Sequence, residues 1–189
     1  MRYDRTVIAY HGCGESVARR LLRGERFKPS ENDYDWLGSG VYFWEYGADR
    51  AFRFAGEHLG GRKIRSPAVV GALIQLGQCF DLMDTRFTDD LAAGYRVWAA
   101  AMTLKNVPLP RNAGATPDRK LRRLDCAVLN WYLRRAAKVG RPYDTVRCGF
   151  VEGGPVFEGA GIRRESHVQI AVRNPSCIVG VFRPIMEIP

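Results

Sequence analysis

The chain has 189 residues, enough for one well-filled core, with an ordinary hydrophobic share of 46% and charged share of 26%. Its net charge of +9 and pI near 9.6 favour polyanionic partners (nucleic acid, a dinucleotide, an acidic protein surface) without selecting one. No run approaches a membrane span, residues 1–10 are too short and polar for a secretory leader, and five scattered cysteines form no CxxC pair. The expectation is a cytoplasmic protein with no membrane partner and with Cys13, Cys79, Cys126, Cys148 and Cys177 as buried thiols. Three histidines far apart, with no Cys or His cluster, give no metal site.

Residues 6–10 read as a short apolar strand running into a turn at His11-Gly12. An amphipathic helix follows over 15–23, with Val17, Ala18, Leu21 and Leu22 at helical spacing and Gly24 closing it. A polar, irregular stretch then leads into DYDWLGSGVYFWE, residues 33–45, where aromatic residues crowd around two glycines spaced one apart. A second helix is predicted over 46–59, with Ala48, Ala51, Phe52 and Ala55 on its apolar face and Gly60-Gly61 as its stop. Residues 68–80 read as one core strand. Helical periodicity returns over 89–104 and 118–137, around the breaker-rich VPLPRNAGATP, and the second of these helices carries a basic face. Strands are predicted at 146–151, 168–172 and 178–182, joined by EGGPVFEGAG and by the turn Asn174-Pro175-Ser176. Strands and helices are partly segregated along the chain, which predicts an α+β domain.

Three motifs stand in order: YHG at 10–12, GSGVYF at 38–43 with a helix after it, and SHVQIAVRNPSCIVGVF closing the chain. Each alone is weak, since a strand-end histidine or a GxG turn is common. Together, in this order and spacing, they resemble the ADP-ribosyltransferase superfamily. The resemblance is to its diphtheria-toxin and poly(ADP-ribose) polymerase branch, whose site is a His-Tyr-Glu triad on three core strands. The family's HG turn matches His11-Gly12, and its GxGxYF strand matches Gly38, Gly40, Tyr42 and Phe43. The small residue nine positions after that tyrosine matches Ala51. The resemblance covers the N-terminal third and the C-terminal fifth of the chain. It implies a split β-sheet core with flanking helices, formed by residues 1–189 as one domain, with a helical insertion at about 84–146 that matches nothing.

What the resemblance implies for the site is specific. NAD, as substrate, would lie between two small sheets. Gly12 would let the backbone approach the nicotinamide carboxamide, with Cys13 beside it, because a side chain there would obstruct. His11 would hydrogen-bond the adenosine-side ribose. Tyr42 would stack on the nicotinamide ring, and Gly40 would leave room for it. Trp36, Trp44 and Phe54 are further wall candidates, whereas Phe43 reads as core. The family's second stacking tyrosine falls on Arg53, so either Phe52 or Phe54 is the substitute or that face is open.

The family's catalytic glutamate falls on Gln169, which bonds a ribose hydroxyl but brings no full negative charge to the oxocarbenium-like centre. Strand alternation places Glu165 and His167 on the face of Gln169. Glu165 is the candidate for the missing charge and His167 for the base that serves the acceptor, with rim positions as the alternative for both. His167 stands where arginine-modifying relatives carry a glutamate, which argues against an arginine acceptor. The expected activity is a single transfer of ADP-ribose from NAD to a macromolecule, with RNA or DNA favoured slightly over protein. Arg122, Arg123, Arg134 and Arg135 are the candidate phosphate contacts. A bacterial toxin or defence effector, with a neutralising antitoxin partner, is the role small stand-alone relatives suggest. The alternatives are a degenerate module that binds NAD or ADP-ribose without turnover, and an NAD glycohydrolase.

Overall fold

The computed structural model describes residues 3–57 and 64–185. In chain order it has strand β1 (Tyr3–Gly14), helix α1 (Glu15–Leu21), β2 (Val41–Glu45), α2 (Ala48–Gly56), β3 (Pro67–Gly77) and β4 (Cys79–Asp81). Helices α3 (Thr85–Leu104) and α4 (Arg123–Lys138) follow, then β5 (Thr145–Phe150), β6 (His167–Val172) and β7 (Ile178–Phe182). The strands form one sheet in the order β4-β5-β6-β2-β1-β3-β7. Every neighbouring pair is antiparallel except β4 and β5. The α+β class is therefore present, as a mixed seven-stranded sheet with helices.

The sheet wraps on itself. β3 runs into β4 through Gln78 alone, yet β4 is first in the order and β3 is sixth. Gly77 makes this possible with a φ of 59°, a left-handed conformation that favours glycine. Thr145 Oγ1 donates to the Leu76 carbonyl at 2.7 Å, and the Asp144 N–H donates to the Gln78 carbonyl at 2.8 Å, so the two ends meet. Between the halves lies a core of Val7, Ala9, Phe43, Ile74, Leu76 and Ile170. The expected single strand over 68–80 is thus two strands; its unbroken apolar composition hides the corner at Gly77.

β1 and β2 pair only at Ala9↔Glu45 and Tyr10↔Trp44. Beyond Tyr10, β1 stays with β3 as far as Gly14↔Pro67, while β2 stays with β6 as far as Val41↔Val172. The sheet therefore splits between β1 and β2. His11 and Gly12 are not a turn but lie inside β1, opposite Val70 and Val69.

The helical middle covers the second face. α3 and α4 pack on Phe80, Val146 and Ala171 of the sheet through Phe87, Leu129 and Leu133. α3 begins at Thr85 rather than 89 because Asp84 caps it, accepting from the Arg86 N–H at 3.0 Å. α4 begins at Arg123 rather than 118, and α2 ends at Gly56; the expected stop at Gly60-Gly61 lies outside the described residues. No described helix is long and apolar enough to cross a membrane.

Candidate functional site

The split between β1 and β2 opens into a cavity of about 300 Å³. That lies at the small end of ligand-binding cavities, about 300–1,000 Å³. Its walls come from distant parts of the chain: His11 of β1, Gly40, Tyr42 and Trp44 at β2, Phe54 of α2 and Gln169 of β6. The register explains the convergence. Trp44 is opposite Gln169 and Tyr42 is opposite Ala171, so Tyr42, Trp44 and Gln169 share one face of the sheet.

Tyr42 presents a ring and no usable proton. Its hydroxyl accepts from the Leu37 N–H at 2.8 Å and donates to the Gly38 carbonyl at 2.7 Å. Burial holds the phenol well above its ordinary pKa. The glycine turn that receives this hydroxyl is itself clamped by α4. Asn130 Oδ1 accepts from the Ser39 N–H at 2.9 Å, and Arg173 Nη1 donates to the Ser39 carbonyl at 2.7 Å. Gly38 has a φ of 74°, and a Cβ there would lie 2.6 Å from Asn130 Oδ1. The helical middle thus fixes the turn that positions Tyr42. Trp36 closes the same side: its Nε1–H donates to the Lys120 carbonyl at 2.8 Å, and the Arg122 guanidinium lies 4.2 Å from its ring centroid.

His11 spans the split. Its Nδ1 lies 2.8 Å from the Tyr42 carbonyl, which can only accept, so Nδ1 carries the proton. Burial lowers the imidazole pKa, and the ring packs edge-on against Phe27 with centroids 5.4 Å apart. A neutral ring protonated at Nδ1 leaves Nε2 as an acceptor, suited to a hydroxyl group.

The polar wall was not legible from the motifs. Glu152 is fully buried, in the connection after β5, and lines the cavity together with Arg50, Lys120, Glu57 and Asp35. Arg50 lies 3.2 Å from both Glu57 Oε1 and Glu152 Oε2. Lys120 Nζ lies 3.3 Å from Glu57 Oε2 and 3.9 Å from Glu152 Oε1. Burial pushes the Glu152 carboxyl pKa up, against the opposing pull of Arg50. Several buried polar atoms around this wall have no hydrogen-bond partner: Glu152 Oε1, Gln169 Oε1, Trp44 Nε1 and Arg50 Nε. Such a cluster is unusual in a folded interior and marks a place where a polar ligand or water can bind.

The structure brings His11, Gly40, Tyr42, Phe54 and Gln169 to one cavity, and leaves Gly12, Cys13, Glu165 and His167 off its walls. Gly12 has a different reason to be glycine. A Cβ there would overlap the Ala51 carbonyl oxygen and lie 2.9 Å from its carbon, so the missing side chain admits α2. Cys13 is buried against Ala18, Leu21 and Val70, and burial pushes its thiol pKa up to about 11. Glu165 pairs with Glu152 across the hairpin, its N–H donating to the Glu152 carbonyl at 3.1 Å. His167 lies behind the wall, among the rings of Trp36, Trp44 and Phe150. Its Nδ1–H donates to the Glu165 carbonyl at 2.7 Å and lies 3.3 Å from Glu152 Oε2. Burial lowers its pKa, and its Nε2 is enclosed without a hydrogen-bond partner. Of the proposed phosphate contacts, Arg122 is stacked on Trp36 and Arg123 is 3.0 Å from Asp33, whereas Arg134 and Arg135 are exposed.

No protein-family model matches the chain, and no solved structure matches it. Among curated proteins, the uncharacterized protein MJ0359 of Methanocaldococcus jannaschii is 38% identical over 45 residues. That stretch is 24% of this chain and 21% of the relative, so the likeness spans about a fifth of that protein.

Proposed function

We propose that this chain is a mono-ADP-ribosyltransferase of the His-Tyr-Glu type, with an ADP-ribosyltransferase-like fold, that takes NAD as substrate and moves ADP-ribose to a macromolecular acceptor. One observation carries the reading: His11, Tyr42 and Gln169, from three different strands, line a single cavity at the split between β1 and β2. In this reading the nicotinamide ring lies against Tyr42, whose hydroxyl is fully occupied and whose flat face is its only contribution. His11 Nε2 accepts from a ribose hydroxyl. Gln169 holds the ribose next to nicotinamide, and Trp36, Trp44 and Phe54 keep water from the breaking bond. The positive charge of the chain and the exposed Arg134 and Arg135 support a nucleic-acid acceptor over a protein one.

A second reading, a module that binds NAD or ADP-ribose without turnover, is favoured by the neutral amide of Gln169 where the family carries a carboxylate. Incubation with NAD labelled in its adenylate half separates the possibilities. Label on RNA, DNA or protein marks the transferase, free ADP-ribose a glycohydrolase, and binding without nicotinamide release the module. Tyr42→Ala is expected to abolish nicotinamide release; wild-type rates in that variant would remove the reading.

A further inference from the structure

Three carboxylates stand on the cavity wall, and two are already engaged. Asp35 accepts from Asn32 with both oxygens, at 2.9 Å from the backbone N–H and 3.3 Å from the side-chain amide. Glu57 gives one oxygen to Arg50 and the other to Lys120. Glu152 differs. Its Oε2 is held by Arg50 at 3.2 Å and faces His167 Nδ1 at 3.3 Å, while its Oε1 lies 3.9 Å from Lys120 Nζ and has no hydrogen-bond partner. Among the described residues, this is the one wall carboxylate oxygen left without a hydrogen bond. Gln169 Oε1, on the same wall but two same-face cross-strand pairs further along the ladder, is also unpartnered.

The position is set by the hairpin. β5 and β6 pair down to Phe150↔His167, and the bond from the Glu165 N–H to the Glu152 carbonyl carries that register one step beyond the strands. Glu152 and Glu165 are therefore cross-strand neighbours, and the carboxylate that reaches the cavity wall comes from the β5 side rather than from β6.

We propose that Glu152 is the catalytic carboxylate of this site and compensates for the neutral Gln169. This inference rests on the transferase reading. In the reaction the bond between C1′ of the ribose and the nicotinamide nitrogen breaks, and its electron pair leaves with nicotinamide, cancelling the ring's positive charge. Positive charge develops at C1′, where the Glu152 carboxylate stabilises it. The acceptor's hydroxyl or amine then attacks C1′ with a lone pair, and its proton passes to Glu152 Oε1 and on to water. Arg50 is a positioning residue, holding Oε2 and leaving Oε1 without a hydrogen bond. Burial raises the Glu152 carboxyl pKa, which makes its carboxylate a stronger proton acceptor than an exposed one.

The test is Glu152→Gln in the full chain, read by nicotinamide release and, separately, by calorimetric binding of NAD. We expect nicotinamide release to fall by about 100- to 1,000-fold, as for removal of a group aimed at developing charge, with NAD affinity kept within about threefold. Where Glu152→Gln does not fold, Glu152→Asp keeps the charge against Arg50 but withdraws it by one methylene. It is expected to lose about 10- to 100-fold in kcat with NAD affinity kept. Wild-type kcat in either variant overturns the role of Glu152 and leaves the transferase reading intact, as does loss of release in Glu165→Gln with Glu152→Gln unaffected. Wild-type protein that binds NAD but never releases nicotinamide overturns both.

Discussion

Gly12→Ala separates two meanings of one glycine. If Gly12 exists to let nicotinamide approach, alanine there harms ligand binding and leaves the fold alone. The packing says otherwise: the added Cβ would overlap the Ala51 carbonyl oxygen, with the carbonyl carbon at 2.9 Å and Ala55 Cβ at 3.3 Å. Gly12 is extended backbone within β1, so the cost is steric and not conformational. α2 cannot recede freely, because Ala51 and Ala55 are buried and Ala51 packs with Trp44. Overpacking of this kind costs about 1–3 kcal/mol, with backbone clashes at the upper end. For a chain this size each kcal/mol moves Tm by about 2–4 °C, so a fall of about 6–12 °C is expected. Gly14→Ala is the comparison, since its Cβ meets Ile64 Cγ2 at an ordinary 3.5 Å; as the residue before α1 it should lose under about 1 kcal/mol. Thermal unfolding by circular dichroism reads both. A Gly12→Ala variant melting within about 2 °C of wild type would refute the packing account.

Asn130→Ala removes the acceptor for the half-buried Ser39 N–H and is expected to cost about 1–3 kcal/mol in urea unfolding and to raise KM for NAD, because the Tyr42 turn loosens. The variant with unchanged stability and KM would show that α4 does not set the turn. His11 has a pKa lowered by burial, so below its unfolded value of 6.5 the unfolded chain binds more protons than the native one and stability falls as pH drops. His11→Asn cannot titrate, so wild type should lose more stability than the variant between pH 7 and pH 5; equal losses would contradict a neutral buried His11. Burial pushes the thiol of Cys79 up to about 12 and those of Cys126 and Cys148 to about 11. Cys79 and Cys126 are buried as expected, whereas Cys148 is only half-buried. Alkylation of Cys79 and Cys126 at neutral pH should therefore be slow in the native protein and fast in urea, and rapid native labelling at these two positions would argue against their burial.

The parts legible in the sequence are those set by local pattern. The strands β5, β6 and β7 follow from alternation and β-branched residues, and the aromatic-glycine stretch announces its own turn. His11 and Tyr42 could be paired because each sits in a short motif. Glu152 could not, because its relation to Gln169 passes through the register of a hairpin whose connection spans residues 151–166. One signal was present: two residues beyond Phe150, alternation puts Glu152 on the face of Cys148 and Gln169. Gly12 looked like a ligand contact because the residue that needs its space, Ala51, is far along the chain. The corner at Gly77 was masked by the apolar residues on both sides, which satisfy a single strand as well as two.

Trp36 gives the cavity mouth a mechanical character. It is bonded to the Lys120 carbonyl, stacked under Arg122 and set edge-on to Phe150 at 4.7 Å. The turn before β2, the connection before α4 and the end of β5 therefore share one hinge pin. Outward movement of any one of the three alone would break a contact that the indole makes among them.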